Sequence, residues 1–335
     1  MTKIIKFIAK KDVRISPRRY FVEAMGVMTY GLFSTLILGT IIRELGNVAG
    51  ISGAESVAAT AIAAFPFAVG AATAYGLAAP PLVIFAAAVA GALGNATGGL
   101  PGAFLAALCA TEAGKLVSKE TFADIIITPA TVVITGAFAA WAFGPPIDFL
   151  VSGFSWLISA AMELAPFLMG AIVAILMGMA LTSPISSAAL AIALGLSGLE
   201  AGAAVAGCAA NMIGFAASSY RENKIGGLLS QGLGTSMLQF PNIVKKPVIW
   251  LPVIIASGVA GVLSVFFGMQ NIPTAAGMGT SGLVGQLGAL SVMGYSWEAF
   301  AKIGLVHFLA PAVVALLVSE YMRKRGSIIL GDMKI

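Results

Sequence analysis

The only histidine in this sequence is the first candidate for chemistry. His307 lies about nine residues inside the apolar run 299–322. A helix rises about 1.5 Å per residue, so this places His307 roughly 13 Å inside a spanning helix. An ionisable side chain at that depth must face protein or a cavity, which makes it a candidate functional residue. The alternative interpretation is a neutral histidine that is hydrogen-bonded to a helix carbonyl or a hydroxyl.

Two polar stretches, 226–247 and 269–290, contain most of the other candidates. Both are rich in Gly, Ser, Thr, Gln and Asn, and both are flanked by apolar runs. Amides and hydroxyls without dense charge suit a neutral polyhydroxylated solute, because sugar hydroxyls need donors and acceptors within a mostly apolar pocket. The alternative is that these small polar residues pack helices together. The solute-binding candidates here are Gln231, Thr235, Ser236, Gln239, Asn271, Thr274, Thr280, Ser281 and Gln286.

Three further solute-binding candidates lie outside these stretches. Asn211 interrupts the apolar run 200–218, and Asn95 lies in the sequence GNATGGLPG, which predicts a helix break. Glu200 follows a turn at the start of its run. A carboxylate is costly to bury in lipid, so Glu200 must face a cavity, a partner or the interface. No residue receives a catalytic role from the sequence.

Missing residue types exclude several functions. One histidine and two distant cysteines, Cys109 and Cys208, do not make a zinc cluster, and no metal or cofactor is expected. The sequence contains no GxxxxGK[ST] motif, so no ATPase is expected within it. No ladder of arginines is present, which argues against a voltage sensor.

Composition then defines the elements that must position these residues. The 335 residues are 59% hydrophobic and 10% charged, with a mean hydropathy of +0.98. Soluble domains are about 25% charged, so this chain lacks the polar groups to cover a surface in water. We therefore predict an all-α polytopic membrane protein. Forty glycines and fifteen prolines are too many for plain spanning helices and indicate broken helices of the kind that transporters and channels use.

The apolar runs predict about eight to ten transmembrane helices within a single domain, 21–325. The stretches 226–247 and 269–290 are predicted to be re-entrant hairpins that line a site without crossing the membrane. They share a weak repeat, GLGTS at Gly232–Ser236 and GMGTS at Gly277–Ser281. The expected apolar segments are 21–42, 56–78, 80–97, 101–117, 126–143, 163–181, 184–198, 200–218, 248–268 and 299–322.

Basic residues are concentrated near both ends of the sequence. Residues 1–20 contain seven lysines and arginines and one acid, which predicts an amphipathic segment on an anionic bilayer surface. The basic cluster 323–325 precedes the segment 326–335, which is predicted to be a cytoplasmic tail. By the positive-inside rule both termini are expected in the cytoplasm. The net charge of +5 is attributed to basic residues on the cytoplasmic side of the membrane, and no nucleic-acid partner is expected.

The chain also resembles a known family over nearly its whole length, and 182–290 is the most specific part of the resemblance. The residues that carry the resemblance are LTSPISSAALAIALGLSGLEAGAAVAGCAANMIGFAASSYRENKIGGLLSQGLGTSMLQFPNIVKKP at 181–247 and NIPTAAGMGTSGLVGQ at 271–286. They resemble the membrane-embedded IIC component of the bacterial phosphotransferase system, and more closely the stand-alone IIC-like branch that includes the perfringolysin regulator proteins. The resemblance implies a bacterial inner-membrane permease subunit of the IIC transporter fold, usually a homodimer. It also implies a sugar-like solute at the membrane midplane, alternating access and a cytoplasmic IIB phosphocarrier.

Enzymatic activity stays undecided at this point, because the match to the family is partial. In the family a histidine and a glutamate lie near the sugar. His307 is the only histidine, and the second polar stretch has no glutamate, with Gln286 as the nearest equivalent. An amide does not have the proton affinity of a base, so the sequence supports a solute site better than phosphoryl transfer. The chain is at most the membrane subunit of a sugar phosphotransferase that acts with a separate IIB partner.

Two alternatives to the sugar permease remain open. The first is a membrane sensor or regulator that kept the solute site and lost transport, which the missing glutamate would explain. The second is an ion-coupled transporter that uses His307 and the acids to carry protons.

Overall fold

A computed structural model describes residues 7, 8 and 10–335 of the chain. Residues 1–6 and 9 lie outside the described part, and with them Lys3 and Lys6 of the predicted amphipathic segment. All the regular structure in residues 7, 8 and 10–335 is helical, apart from one isolated antiparallel bridge between Gly198 and Asn271. The chain is an all-α polytopic membrane protein, as its composition predicted.

Six helices of the described chain are long and apolar enough to cross a membrane. A seventh candidate is the pair Ala54–Ala63 and Phe65–Gly76, which bends by 45° at its break. The six are Arg19–Arg43, Pro81–Val117, Asp124–Met162, Gly198–Ser218, Pro247–Phe266 and Trp297–Lys324. Shorter helices include Pro166–Thr182, Ser187–Ala193, Tyr220–Leu229, Phe240–Lys245, Pro273–Ala276 and Val284–Met293.

This count is lower than the predicted eight to ten, because it takes two long stretches with internal prolines, 81–117 and 124–162, as one helix each. The segment Asp124–Met162 runs as one helix through Pro129, Pro145 and Pro146. The stretch 81–117 is two helices that meet at Gly98 and Gly99, between the predicted runs 80–97 and 101–117. The two helices turn back on each other, since a Cβ on Gly94 would lie 2.1 Å from the Gly102 carbonyl oxygen and one on Gly114 3.0 Å from Val83 Cγ1. A proline can kink a helix without terminating it when neighbouring groups satisfy the freed carbonyl.

The described chain forms two compact units. The first comprises Met1–Gly39 and Ser56–Leu150, and the second comprises Thr40–Glu55 and Val151–Ile335. In the first unit, helix 65–76 packs on helix 81–117, and the core is built from small apolar side chains such as Ala87, Ala90 and Val132. The predicted single transmembrane domain, 21–325, includes residues of both units.

Helix 198–218 is the centre of the second unit. It packs against helices 166–182 and 251–266 and against the helix Ala310–Lys324. Of its most apolar 18-residue stretch, 89% is buried. Its sequence, AGAAVAGCAANMIGFAAS, is mostly small residues, which let helix backbones approach closely. Because protein surrounds this helix, it can carry a polar residue such as Asn211 at a depth where lipid would not tolerate one.

The two polar stretches are both broken, in agreement with the prediction. In 226–247 the chain leaves helix 220–229 through a π-helical turn, Ser230–Gly234, and Thr235 is extended before the 3₁₀ turn Ser236–Gln239. In 269–290 the helix Pro273–Ala276 is followed by Gly279 at φ +56° and by the 3₁₀ turn Ser281–Leu283. The re-entrant path of both stretches through a membrane stays a prediction.

The GLGTS and GMGTS repeat does not correspond to a repeated structure. Thr235 has φ −159° and ψ 142°, whereas the equivalent Thr280 has φ −95° and ψ 7°. Gly234 ends a π-helical turn while Gly279 is left-handed. The two segments are nevertheless neighbours, since the Thr280 hydroxyl donates a hydrogen bond to the carbonyl of Gly232. The repeat thus marks two contacting segments with different backbones.

Candidate functional site

The predicted polar residues of the second unit form several buried hydrogen-bonded groups around helix 198–218. The side chains of Asn211, Gln231, Ser236, Gln239, Thr280 and His307 are fully buried. A buried polar group is costly unless it is hydrogen-bonded. The position of each partner therefore shows what holds each group in place.

Asn211 is the hub of the first group. Its carboxamide oxygen accepts hydrogen bonds from Thr182 Oγ1 at 3.0 Å and from Trp250 Nε1 at 3.3 Å. Its nitrogen donates to Ser257 Oγ at 2.8 Å and to the Gly207 carbonyl at 3.3 Å. All the hydrogen-bonding capacity of this amide is therefore used inside the protein.

This hub reaches the first polar stretch through a hydroxyl pair. Thr182 Oγ1 lies 2.7 Å from Ser236 Oγ, and Thr182 also donates to the Gly178 carbonyl at 3.1 Å. The helix C-terminus at Thr182, the central helix and the break at Thr235–Ser236 are therefore joined by one set of hydrogen bonds. A movement of any one of them requires these bonds to be exchanged.

A second group is a chain of three amides. Asn242 Nδ2 donates to Gln239 Oε1 at 2.9 Å, Gln239 Nε2 donates to Gln231 Oε1 at 2.9 Å, and Gln231 Nε2 donates to Ser219 Oγ at 2.9 Å. We call these three side chains, Gln231, Gln239 and Asn242, the amide chain. Each amide donates in the same direction, so the chain has a defined polarity and ends on the hydroxyl at the end of the central helix.

The amide chain also holds the segment 326–335. Gln239 Nε2 donates to the Met333 carbonyl at 2.8 Å, and Asn242 Nδ2 donates to the Lys334 carbonyl at 2.9 Å. Asn223 Nδ2 donates to the same Met333 carbonyl at 2.7 Å, and the Met333 side chain is fully buried. A segment that the sequence predicted to be a plain tail is thus packed against the first polar stretch.

Two ion pairs fix this segment at its flanks. Lys246 Nζ lies 2.6 Å from Asp332 Oδ2, and Arg323 lies 2.8 Å from Glu222 Oε1. The Glu222 carboxylate is nearly inaccessible, at 2% exposure, so its pairing with Arg323 removes the cost of a lone buried charge. The Glu222 charge is therefore compensated by Arg323.

His307 and Gln286 make a third group. Gln286 Nε2 lies 3.1 Å from His307 Nδ1, and both side chains are buried. With the amide nitrogen as donor, Nδ1 accepts and the neutral ring carries its proton on Nε2. His307 Nε2 and Gln286 Oε1 have no hydrogen-bond partner among the described residues. His307 lies in a π-helical segment, Gly304–Leu309, and π-bulges occur frequently at functional sites.

Asn271 stabilises the backbone of the second polar stretch. Its side-chain nitrogen donates to the Gly285 carbonyl at 2.8 Å, and its oxygen accepts from the Ile272 N–H at 2.8 Å. Its own N–H donates to the Gly198 carbonyl at 3.2 Å. These bonds give Asn271 a structural role that the sequence did not distinguish from binding.

The remaining predicted residues are not part of these groups. Thr235 Oγ1 caps the next turn by accepting from the Met237 N–H, and Ser281 is buried in its own turn. Thr274 is exposed, and Glu200 lies half-buried in the first turn of helix 198–218, where the helix dipole favours an acid. Asn95 is half-buried and belongs to the first unit.

Several partners were not among the predicted site residues. Trp250 and Ser257 are seven residues apart, two helical turns, and so share one face of an apolar helix; this spacing was the available signal. Asn242 follows Gln239 by three residues, which also places the two on one side of a helical turn. The contacts of 326–335 had no local signal, because they join residues about a hundred positions apart.

The groups as a whole are polar but nearly uncharged. They offer amide and hydroxyl donors and acceptors, and no set of three or more His, Cys, Asp or Glu residues in the described chain could hold a metal ion. Cys208 is buried and donates to the Met177 carbonyl, so it is not an exposed nucleophile. Amide and hydroxyl donors and acceptors of this kind suit recognition of neutral hydroxyl groups.

Comparisons with known proteins give one match. A family model described as "Phosphotransferase system, EIIC" matches residues 22–335. No curated protein and no solved structure matches the chain significantly. The matched range covers nearly the whole chain and includes both polar stretches and the segment 326–335.

Proposed function

The chain belongs to the phosphotransferase system EIIC family and is a membrane permease subunit of that system; from this premise we propose that it takes up a sugar-like solute by alternating access. Its location is the bacterial inner membrane, with both termini in the cytoplasm, and its assembly is a homodimer. Its cytoplasmic partner is a IIB phosphocarrier. The solute binds among the polar groups around helix 198–218.

One observation carries the proposal of a sugar site. His307 Nε2 and Gln286 Oε1 are buried atoms without a partner in the described chain, on two side chains that are hydrogen-bonded to each other. In the tautomer described above, His307 Nε2–H is a donor and Gln286 Oε1 is an acceptor. A hydroxyl group can accept from the first and donate to the second, so it satisfies both atoms at once.

Transport follows from an exchange of hydrogen bonds. Thr182 is hydrogen-bonded to both Asn211 and Ser236. A hydrogen bond contributes only about 0.5–1.5 kcal/mol net, because its groups find other partners when it breaks. Solute hydroxyls can therefore replace these bonds at little cost while the broken helices rearrange.

The IIB partner is assigned to the polar face near Arg221 and Lys224. Arg221 is 61% exposed and is paired with Glu320, and Lys224 is exposed at the turn between helices. Lys245 is also exposed and follows the first polar stretch. A positive face of this kind favours an acidic partner surface and speeds its association.

Uptake assays test this function. Cells that express the chain with a IIB partner are offered a panel of radiolabelled hexoses, hexitols and disaccharides, and the accumulated label is separated into free and phosphorylated solute. We expect one class to accumulate as the phosphate. Accumulation of no member of the panel above the level of vector-only cells would contradict the proposal.

The site is tested by removing its unpaired donor. His307→Ala should reduce solute uptake at least tenfold, because a buried hydrogen bond to solute is lost and Gln286 is left without a partner. Ser264→Ala is the matched control, since Ser264 Oγ is also buried and unpartnered in the described chain but lies in the helix Leu251–Phe266. Equal losses in both variants would contradict a solute role for His307.

A regulatory function without transport is the second candidate. Gln286 is the side chain beside His307, and an amide cannot accept the proton that phosphoryl transfer to a hydroxyl releases. In that case the segment 326–335 would change its contacts when solute binds, and a partner protein would recognise the change. Solute binding to the purified protein without any uptake in cells that contain the IIB partner would favour this function.

A further inference from the structure

Four lysines converge on a cavity of the first unit. Its volume is about 380 Å³, and its lining includes Lys10, Lys11, Lys115 and Lys119 together with Asp12 and Glu120. None of these residues belongs to the polar groups around helix 198–218. The lining has a surplus of two positive charges, which is unusual for a chain that is only 10% charged.

Lys115 forms the floor of this lysine cavity. Its side chain is 2% exposed, and its ammonium donates to the Asp12 carbonyl at 2.7 Å and to the Leu77 carbonyl at 3.0 Å. Glu112 lies 3.4 Å away. A buried ammonium needs such partners, so Lys115 serves to fix the surrounding backbone and is not free to bind a ligand.

The two carboxylates of the lining are also occupied. Asp12 pairs with Arg19 and lies 3.2 Å from Arg14, and Glu120 pairs with Lys11. The hydrogen bond from Arg19 lowers the pKa of Asp12, and the hydrogen bond from Lys11 lowers the pKa of Glu120. Both acids therefore stay ionised. Their direct partners are Arg19 and Lys11, while Lys115 lies 4.0 Å from Asp12 and Lys10 adds a weaker attraction to Glu120.

Lys10 and Lys119 are the two lysines that remain. Both side chains are exposed, and neither ammonium forms an ion pair with another residue of the described chain. The loop that holds Lys119 is fixed, because its N–H donates to Asp124 Oδ1 at 2.7 Å. Two exposed ammonium groups thus line the cavity, with Glu120 near Lys10 and Asp124 near Lys119 but no direct ion pair to either.

The lysine cavity lies beside the ends of candidate spans. Lys115 and Lys119 are at and just beyond the end of helix 81–117, and Lys10 precedes the span that begins at Arg19. Lipid headgroups lie at this level, and basic pockets at the ends of spanning helices attract anionic headgroups. Lysine is a strongly hydrated point charge with three donors and binds phosphate oxygens in this way.

We propose that the lysine cavity binds a phosphate-bearing anion, supplied by the headgroup of an anionic phospholipid, with Lys10 and Lys119 as its direct ligands. Lys11 and Lys115 fix the residues that surround the cavity through their own hydrogen bonds and ion pairs. This site is separate from the solute site, and the proposal does not depend on sugar transport. A soluble phosphate would satisfy the same chemistry, so the experiment distinguishes the two sources.

The test measures thermal unfolding of the full-length protein in detergent. Dioleoyl-phosphatidylglycerol, dioleoyl-phosphatidylcholine and sodium phosphate are titrated separately. We expect phosphatidylglycerol to raise the Tm at lower concentrations than phosphatidylcholine does. In the double variant Lys10→Ala, Lys119→Ala the apparent affinity for phosphatidylglycerol should fall about 30-fold, because each lysine near an anionic surface contributes about fivefold.

A matched variant removes the same number of charges elsewhere. Lys245→Ala with Lys324→Ala removes two exposed basic residues of the second unit and should leave the phosphatidylglycerol titration unchanged. A Tm rise with sodium phosphate that disappears in the cavity variant would support the phosphate site and assign it to a soluble ligand. Equal titrations for the wild type and the cavity variant, or no response to either ligand, would overturn the proposal.

Discussion

At the scale of single residues, buried neutral polar side chains connect the helices of the second unit by hydrogen bonds. Asn211 is 0% exposed and joins Thr182, Trp250 and Ser257. An amide can do this because it offers two donors and an acceptor with two lone pairs in one plane. In lipid the same side chain would find no hydrogen-bond partners. Asn211 can therefore join these residues only because other helices surround it.

The first prediction concerns Asn211. Asn211→Ala should destabilise the protein by about 2–3 kcal/mol, because Ser257, Trp250 and Thr182 each lose a buried partner. The measurement is thermal or denaturant unfolding in detergent. Asn95→Ala is the control, since Asn95 is half-buried in the first unit and its side chain forms no hydrogen bond within the described chain. A similar loss in both variants would contradict the role of the hub.

At the scale of elements, close approach of the second polar stretch to the central helix decides its conformation. Gly279 has φ +56°, and a Cβ at this position would lie 2.8 Å from the Cys208 carbonyl carbon and 2.9 Å from the Ala209 nitrogen. Both distances are shorter than normal contacts. Only glycine satisfies the left-handed backbone and the close approach together.

The second prediction separates these two requirements. Gly279→Ala should destabilise by about 2–5 kcal/mol, since it adds a left-handed penalty of about 1–2 kcal/mol to an overpacking cost of about 1–3 kcal/mol. Gly268→Ala is the control, because Gly268 has φ +62° and nothing within 4 Å of its Cβ position. It should show the smaller conformational penalty alone in unfolding experiments. Equal losses would mean that the close approach does not matter.

The third prediction concerns the segment 326–335 and its dependence on pH. Burial raises the pKa of Asp332, but hydrogen bonds from the Ile329 N–H and from Lys246 outweigh burial and leave the pKa below its ordinary 3.8. A carboxyl whose pKa is depressed by folding stabilises the folded state above its unfolded pKa. The stabilisation is therefore complete at neutral pH and is lost as pH falls below about 4.

Hydrogen exchange of the backbone amides measures this effect. The N–H groups of Gly331 and Ile335 donate to Glu222 and Asn223 and should be protected at pH 7. Asp332→Asn should reduce their protection about three- to tenfold at that pH, and acidification of the wild type should do the same after correction for intrinsic rates. Asp148→Asn, at an exposed acid, is the control. Unchanged protection in Asp332→Asn would contradict a stabilising role for the ion pair between Asp332 and Lys246.

At the scale of the whole molecule, apolar surface defines where lipid lies. Exposed aromatic side chains such as Phe85, Trp141 and Trp297 lie on helices that are long enough to span a membrane. Such surface is stable only against lipid or a partner. The basic residues near the helix ends then decide the orientation through the positive-inside rule.

The fourth prediction tests this orientation and the re-entrant path. In a background of Cys109→Ala and Cys208→Ala, single cysteines at Lys119, Lys224, Lys245 and Arg325 should react with a membrane-impermeant maleimide only after the cells are permeabilised. Tyr295→Cys is the control for the opposite face, since Tyr295 is 72% exposed and precedes the last span. It should react in intact cells. Reaction of Lys224→Cys and Lys245→Cys from opposite faces would contradict a hairpin at 226–247.

The amino-acid sequence by itself determined the membrane class, the all-helical architecture and the two broken polar stretches. These properties follow from local composition, since apolar runs, glycine and proline act on the residues beside them. The predicted break between 80–97 and 101–117 is present at Gly98–Gly99, whereas helix 124–162 continues through Pro145 and Pro146, where a run was expected to end.

Only the tertiary structure decided which polar groups meet. Thr182 pairs with Ser236, 54 residues away, and Gln239 holds the Met333 carbonyl, 94 residues away. An amide or hydroxyl side chain can hydrogen-bond to almost any polar group, so its identity does not select a partner. The packing of small residues along helix 198–218 brings these groups together, and that packing depends on the whole unit.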